Sequence, residues 1–247
     1  LPSDIIGTQV FNPGSSTFTT ELGPVHANVV LLDEINRSSA KTQAAMLEAM
    51  QEKQATIGAK TYPMPDPFLV LATQNPIDEE GTYVLPQAQM DRFLLKVIVD
   101  YPSPADEVEM LRRLKSGVLA SRTVPPVVSR QDVLWLQALS RRVYVDEALL
   151  RYIVQIVHAT RHGGDYLPQE QAHCLEYGAS PRATIAFVEA ACAHALIHGR
   201  DHVIPDDVRA MRYMVLRHRL ILTFEAVATR VPVEEIIDGI FGAVPTP

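Results

Sequence analysis

The sequence predicts an α/β unit followed by an all-helical unit, and three observations carry that reading. Short apolar runs at 29–32, 68–72 and 93–99 are too short for independent helices and suit parallel strands covered on both faces. From Ser103 onward the pattern changes to longer segments of helical period, several of them opened by capping residues. Charge divides along the same line: residues 1–103 carry 6 basic and 12 acidic side chains, whereas residues 104–247 carry 16 and 17. The division predicts one domain over 1–102 and a second over 103–247.

Each element has a local cause. Residues 7–23 fold back at Asn12-Pro13-Gly14, with Thr17-Phe18-Thr19 alternating behind the turn, which predicts a hairpin. After the strand at 29–32, the Ser38-Ser39 cap opens a helix over 39–51, with Ala40, Ala44, Leu47 and Met50 at helical spacing. Gly58 in the middle of 54–62 predicts a second hairpin, and strands at 68–72 and 93–99 follow. In the helical part, Ser103-Pro104, Ser129 and Asp146 each start a helix. Ser180-Pro181 starts another, which runs to about His198 with Gly199 as its stop, and Pro205 opens the next. Residues 123–128, with Pro125-Pro126, read as a linker.

Composition narrows the function. The chain has 247 residues, 47% hydrophobic, with a formal charge of −7, which is the profile of a globular protein with a sizeable core. Two cysteines cannot make a disulfide framework, so a reducing, cytoplasmic setting is expected. No apolar run approaches the roughly 18 residues of a membrane span. The paired arginines of the helical part lack the local excess of a nucleic-acid stripe, so nucleic acid is not an expected partner. None of the 12 glycines precedes lysine, so the phosphate loop GxxxxGK[ST] is absent from these residues.

The chemistry lies in a pair of acids. Val29-Val30-Leu31-Leu32-Asp33-Glu34 places two carboxylates at the carboxyl end of a buried strand, where open α/β sheets bind ligands. The strand at 68–72 also ends in polar residues, Thr73-Gln74-Asn75, so parallel pairing puts Asp33, Glu34 and Asn75 on one rim. One carboxylate can hold Mg²⁺ through water, a second can orient or deprotonate the attacking water, and an amide can position that water or a γ-phosphate. Taken alone, Asp-Glu after a strand reads more readily as a solvated acidic turn, since short motifs match by chance.

The pair is accompanied by longer motifs: LLDEINR at 31–37, ATQNPIDEEGTYVLPQAQMDRF at 72–93 and GASPRA at 178–183. In that order and over nearly the whole chain, the sequence resembles the MoxR-type AAA+ ATPases. The resemblance implies an AAA+ P-loop NTPase core, here without its first strands, followed by a helical lid. It implies ATP and Mg²⁺ as ligands, with Asp33 the Walker B metal ligand, Glu34 the catalytic carboxylate and Asn75 the sensor 1 amide. Arg92 matches the arginine finger that completes a neighbouring subunit's site, and Arg182 matches sensor 2, in cis or in trans. It further implies a homo-oligomeric ring, usually a hexamer, that remodels protein substrates with von Willebrand A domain partners. A DNA-linked or magnesium-chelatase-like relative and a nonenzymatic ring scaffold are the alternatives. The two hairpins match elements that grip substrate in related rings, with Phe18 and Tyr62 as the aromatic candidates.

The family's Walker A unit belongs upstream of Leu1, so the resemblance implies a piece of a longer protein that does not bind ATP usefully by itself. Two histidine pairs, His158/His162 and His194/His198, have a spacing that permits metal binding but lack the glutamate of HExxH, and each precedes glycine at a helix end. They are expected to be structural.

Overall fold

The computed structural model describes residues 1–75, 85–117 and 125–247. Motif residues 76–84 and the first two residues of the expected linker lie outside them.

The chain begins with α1 (Pro2–Ile6) and the antiparallel hairpin β1 (Gly7–Asn12) and β2 (Thr17–Leu22). β3 (Val29–Leu32) leads through a 3-10 turn at Ile35–Arg37 into α2 (Ala40–Glu52), whose Ser39 cap accepts from the Thr42 N–H. The second hairpin, β4 (Gln54–Ile57) and β5 (Lys60–Pro63), precedes β6 (Leu69–Ala72). β6 lies parallel to β3, with Val29 opposite Leu69 and Leu32 opposite Ala72. α3 (Gln87–Met90) and α4 (Pro104–Lys115, capped by Ser103) follow.

The helical part comprises α5 (Arg130–Ser140), α6 (Glu147–Arg161), α7 (Gly163–Tyr166), α8 (Gln169–Ala172), β7 (Leu175–Tyr177), α9 (Pro181–Ile197), α10 (Pro205–Leu216), β8 (Ile221–Leu222), α11 (Phe224–Ala228) and α12 (Val233–Ala243). Ser129, Asp146 and Ser180 cap α5, α6 and α9 as the sequence predicts. One large core holds Ile153, Ile156, Phe187, Leu216, Ile236 and Ile240 between α6, α9, α10 and α12. Alanines at 183, 186, 190, 191 and 195 give α9 a small-residue face that lets its neighbours approach closely.

Three expectations need correction. The run 93–99 enters no sheet, because no described strand pairs with it; at its start the Phe93 and Leu94 carbonyls accept from Arg219 and Lys96 N–H donates to Met214 O, while Val97, Ile98 and Val99 are exposed. β3 and β6 are covered on one face only. Val30, Leu32 and Val70 turn toward Val25, Met46 and Ala49, whereas Val29, Leu31, Leu69 and Leu71 are 49–61% exposed on the other side. α2 buries Leu47 and packs Met50 beside it as expected but leaves Ala40 and Ala44 exposed, because Met46 and Ala49 pack with Val25 and Val30 while Leu47 packs with Ile35 and Leu85.

Candidate functional site

Parallel pairing of β3 and β6 brings the two strand ends to one rim, and a single hydroxyl organises it. Thr73 Oγ1 donates to Asp33 Oδ1 at 2.6 Å and accepts from the Glu34 N–H at 2.8 Å. The backbone continues the pairing beyond the strands: Thr73 N–H donates to Leu32 O, and Ile35 N–H to Thr73 O, both at 3.0 Å. Asn36 Nδ2 reaches the Asn75 backbone carbonyl at 3.3 Å, tying the segment after β6 to the turn that follows Asp33 and Glu34. Asp33, Glu34 and Asn75 therefore stand together, as the sequence predicts.

Glu34 adopts a left-handed conformation, φ 48° and ψ 51°, which costs a non-glycine residue roughly 1–2 kcal/mol. The Thr73 hydroxyl and the following turn hold it there. Buried Gln43 of α2 donates to the Ile35 and Ser38 carbonyls at 3.1 and 3.2 Å, closing the turn from below. Glu34 Oε2 meets Arg37 Nη1 at 3.0 Å, on a partly exposed surface where such a pair adds little stability. Asp33 is exposed, and its second oxygen has no hydrogen bond among the described residues. A hard oxygen ligand with one side anchored and the other open fits a water-bound magnesium ion.

The two arginines are carried by the segment after α3 and by the first turn of α9. Arg92, just after α3, is exposed, and among the described residues its side chain makes no hydrogen bond or ion pair. Its neighbour Asp91 turns the opposite way: Oδ1 accepts from Arg219 Nε at 3.0 Å, and Oδ2 accepts from Ser180 Oγ at 2.7 Å with Arg182 Nη1 at 3.8 Å. Arg182, a cation that opposes the dipole at the start of α9, thus has a carboxylate nearby, while among the described residues Asp91 makes no ion pair with Arg92. The GASPRA turn is seated against α6. A Cβ on Gly178 would fall 2.3 Å from Thr160 O, Thr160 Oγ1 accepts from Ala179 N–H at 2.9 Å, and Arg161 Nε donates to Ala179 O at 2.6 Å. That seat places Ser180 and Arg182 beside Asp91. No hydrogen bond or ion pair among the described residues joins Arg92 or Arg182 to the acidic rim.

Known proteins place the chain in a family. Residues 1–95 match the family described as ATPase family associated with various cellular activities (AAA), and residues 167–240 match the AAA lid domain. All 247 residues align with Chaperone MoxR1 of Mycobacterium tuberculosis at 47% identity, covering 65% of that protein. They also align with the uncharacterized protein YeaC of Bacillus subtilis at 42%, covering 74% of it. A crystal structure of a candidate ATPase from Cytophaga hutchinsonii superposes over the whole chain with a TM-score of 0.93 and 44% identity, covering 74% of that chain. The chain belongs to the MoxR family of AAA+ ATPases.

In this MoxR-family chain the AAA lid match falls within the all-helical part, over residues 167–240, and carries Arg182 and Arg219. The chain spans about two thirds of MoxR1 and three quarters of YeaC. Several residues that build its site escaped the sequence reading. Thr73 had a visible signal, a hydroxyl at the end of the second strand, but Gln43, Asn36, Asp91 and Arg219 act through contacts that no local pattern announces. Of the two aromatics proposed to grip substrate, Phe18 stands exposed in β2 with its ring 5.2 Å from Phe11. Tyr62 instead packs edge-on to His26, with Lys60 over its ring, so it is not a free tip. His194 Nδ1 lies 2.6 Å from buried Asp207, and the His158 and His162 rings stack at 4.2 Å.

Proposed function

We propose that this protein is the greater part of a MoxR-type motor that couples ATP hydrolysis to the remodelling or maturation of protein complexes. The observation that carries the reading is the rim on which one threonine hydroxyl joins Asp33 to the strained Glu34 backbone. In this reading Asp33, the Walker B acid, is the residue that would hold Mg²⁺, and bound Mg²⁺ supplies charge neutralisation on the phosphates. Glu34 orients the attacking water and accepts its proton, and Asn75 positions that water or the γ-phosphate. Arg92, exposed and without a hydrogen bond or ion pair among the described residues, reaches the site of a neighbouring subunit as an arginine finger. Arg182, only loosely held at 3.8 Å from Asp91, is available to a phosphate as sensor 2.

The phosphate loop and its lysine are absent from these 247 residues, and we assign them to the part of the longer relatives that this chain does not span. The bare apolar face of β3 and β6 supports that assignment, since exposed strands of this kind call for covering elements. The working form is a homo-oligomeric ring, hexameric by family resemblance, acting in the cytoplasm on protein substrates with von Willebrand A domain partners. Residues 1–102 serve as the core and 103–247 as the lid. Among the described residues no helix is long and apolar enough to cross a membrane.

Glu34→Gln in the full-length protein tests the reading. ATP binding should persist while hydrolysis is lost, which separates a motor from a ring scaffold. Hydrolysis at the parent rate would refute it.

A further inference from the structure

Arg219 is the most deeply engaged cation among the described residues. Its side chain is 2% exposed, and every N–H of its guanidinium is used. Nε donates to Asp91 Oδ1 at 3.0 Å, and Nη2 donates to Phe93 O at 2.7 Å and Asp91 O at 3.3 Å. Nη1 donates to Leu94 O at 3.1 Å and to Val215 O, in the last turn of the preceding α10, at 2.6 Å. The carbonyls of Asp91, Phe93 and Leu94 flank Arg92 on both sides. One lid side chain therefore fixes the backbone from which Arg92 projects.

Neighbouring bonds reinforce the seam. Gln87 Nε2 donates to His218 O at 2.7 Å, His218 Nε2 donates to Phe93 O at 3.0 Å, and Lys96 N–H donates to Met214 O at 2.8 Å. Asp91, 14% exposed, bridges the same seam to α9 through Ser180 and Arg182. Burying Asp91 and Arg219 is costly unless each is fully hydrogen-bonded, and here both are. Side chains show the same division: Met90 and Phe93 pack beside Ile35, Leu47 and Leu85, whereas Leu95 packs into the lid core.

We propose that Arg219 and Asp91 form a clamp that ties the Arg92 segment, seated on the core through Met90 and Phe93, to the lid, so that both are positioning residues for the finger. A lid displacement driven at a subunit's own site through Arg182 then moves the arginine presented to the next subunit. The carboxylate of Asp91 is the joint between the two, since it holds Ser180 and Arg182 on one oxygen and Arg219 on the other.

The proposal rests on Arg92 acting as a finger on a neighbouring subunit, and the test separates the two. Full-length protein is prepared as Arg219→Lys, Asp91→Asn, Arg92→Ala and Glu34→Gln. Turnover is measured for each alone and for each of the first three co-assembled with Glu34→Gln subunits. A Glu34→Gln subunit keeps a good finger, and a clamp mutant keeps a good acidic rim, so a mixed ring pairs the two. Lysine cannot reproduce the five-donor fork, and misplacement by about 1 Å costs about 100-fold. Arg219→Lys should therefore lower kcat about 10- to 100-fold with little change in ATP affinity. Mixing with Glu34→Gln should restore turnover well above either parent, and adding Arg219→Lys to Arg92→Ala should cost nothing further.

Unchanged kcat in both clamp variants would overturn the proposal. So would a loss that mixing fails to repair while Arg92→Ala rings are repaired, because the clamp would then serve only its own subunit's fold or site. If Arg92→Ala rings are not repaired either, the finger reading itself falls and takes the clamp with it. Where Arg219→Lys does not assemble, Asp91→Asn, which keeps the size and an acceptor oxygen, carries the same comparison.

Discussion

Replacing Thr73 by valine tests the centre of the site with little change in shape. Valine suits a strand end, so the substitution removes a hydroxyl and two hydrogen bonds, one to Asp33 and one from Glu34 N–H. Each such bond contributes about 1 kcal/mol net, and less here because water reaches Thr73 and Asp33. Glu34 in turn loses the acceptor that helps hold it in the left-handed region, and relaxation recovers part of its roughly 1–2 kcal/mol of strain. The two effects oppose, so stability should change by no more than about 1 kcal/mol. Activity has no such compensation. A relaxed Glu34 carries its carboxylate away from the rim, and a displacement near 1 Å costs about 100-fold in turnover. Steady-state ATPase of the full-length protein should therefore fall 10- to 100-fold in Thr73→Val, with its urea midpoint nearly unmoved, and Thr73→Ser should restore it. Turnover within twofold of the parent for Thr73→Val, or equal damage in Thr73→Ser, would refute the reasoning.

Three further outcomes follow from the same geometry. Arg92→Ala should leave nucleotide binding intact in the full-length protein and reduce turnover by about 10³ or more, read by single-turnover hydrolysis beside an equilibrium titration. Burial, with the Arg219 and Lys96 charges, draws His218 from 6.5 down to about 4 against the pull of the Phe93 carbonyl. The unfolded chain thus takes up a proton that the folded chain refuses, so stability should decline as pH falls from about 6.5 to about 4. The loss reaches about 3 kcal/mol, and denaturant titrations at several pH values should show a shallower decline in His218→Gln. Asp207 is buried, but Arg200, the Ile204 N–H and His194 all bind it and hold its carboxyl well below the usual range. Asp207→Ala should therefore destabilise the lid by about 3 kcal/mol in chemical denaturation, since Arg200 loses both of its bidentate bonds.

Local pattern sufficed wherever a segment's conformation depends on its own residues. Asn12-Pro13-Gly14 and Gly58 turn their hairpins, and Ser103, Ser129, Asp146 and Ser180 cap their helices. The rim was legible for the same reason: two apolar runs ending in polar residues need only pair in parallel to bring Asp33, Glu34 and Asn75 together. The run at 93–99 misled, because an apolar β-like segment becomes a strand only beside another strand. Here no described strand lies beside it, and Arg219 and Met214 bond only the groups at its start, Phe93 O, Leu94 O and Lys96 N–H. Tyr62 misled in a similar way: a hairpin position does not reveal that His26, 36 residues earlier, packs against the ring.

By itself the sequence determined the family, the order of core and lid, and which residue types are available for phosphate chemistry. These reside in contiguous motifs, where neighbouring residues fix both conformation and chemistry. Only the tertiary structure decided how the pieces are joined. Thr73 serving two acids 39 and 40 positions away, and Arg219 gripping the backbone around Arg92 some 125 positions earlier, are long-range contacts with no periodic signature. A buried guanidinium takes whatever carbonyls the fold delivers to it, and only the packed lid brings those of Asp91, Phe93 and Leu94 within its reach.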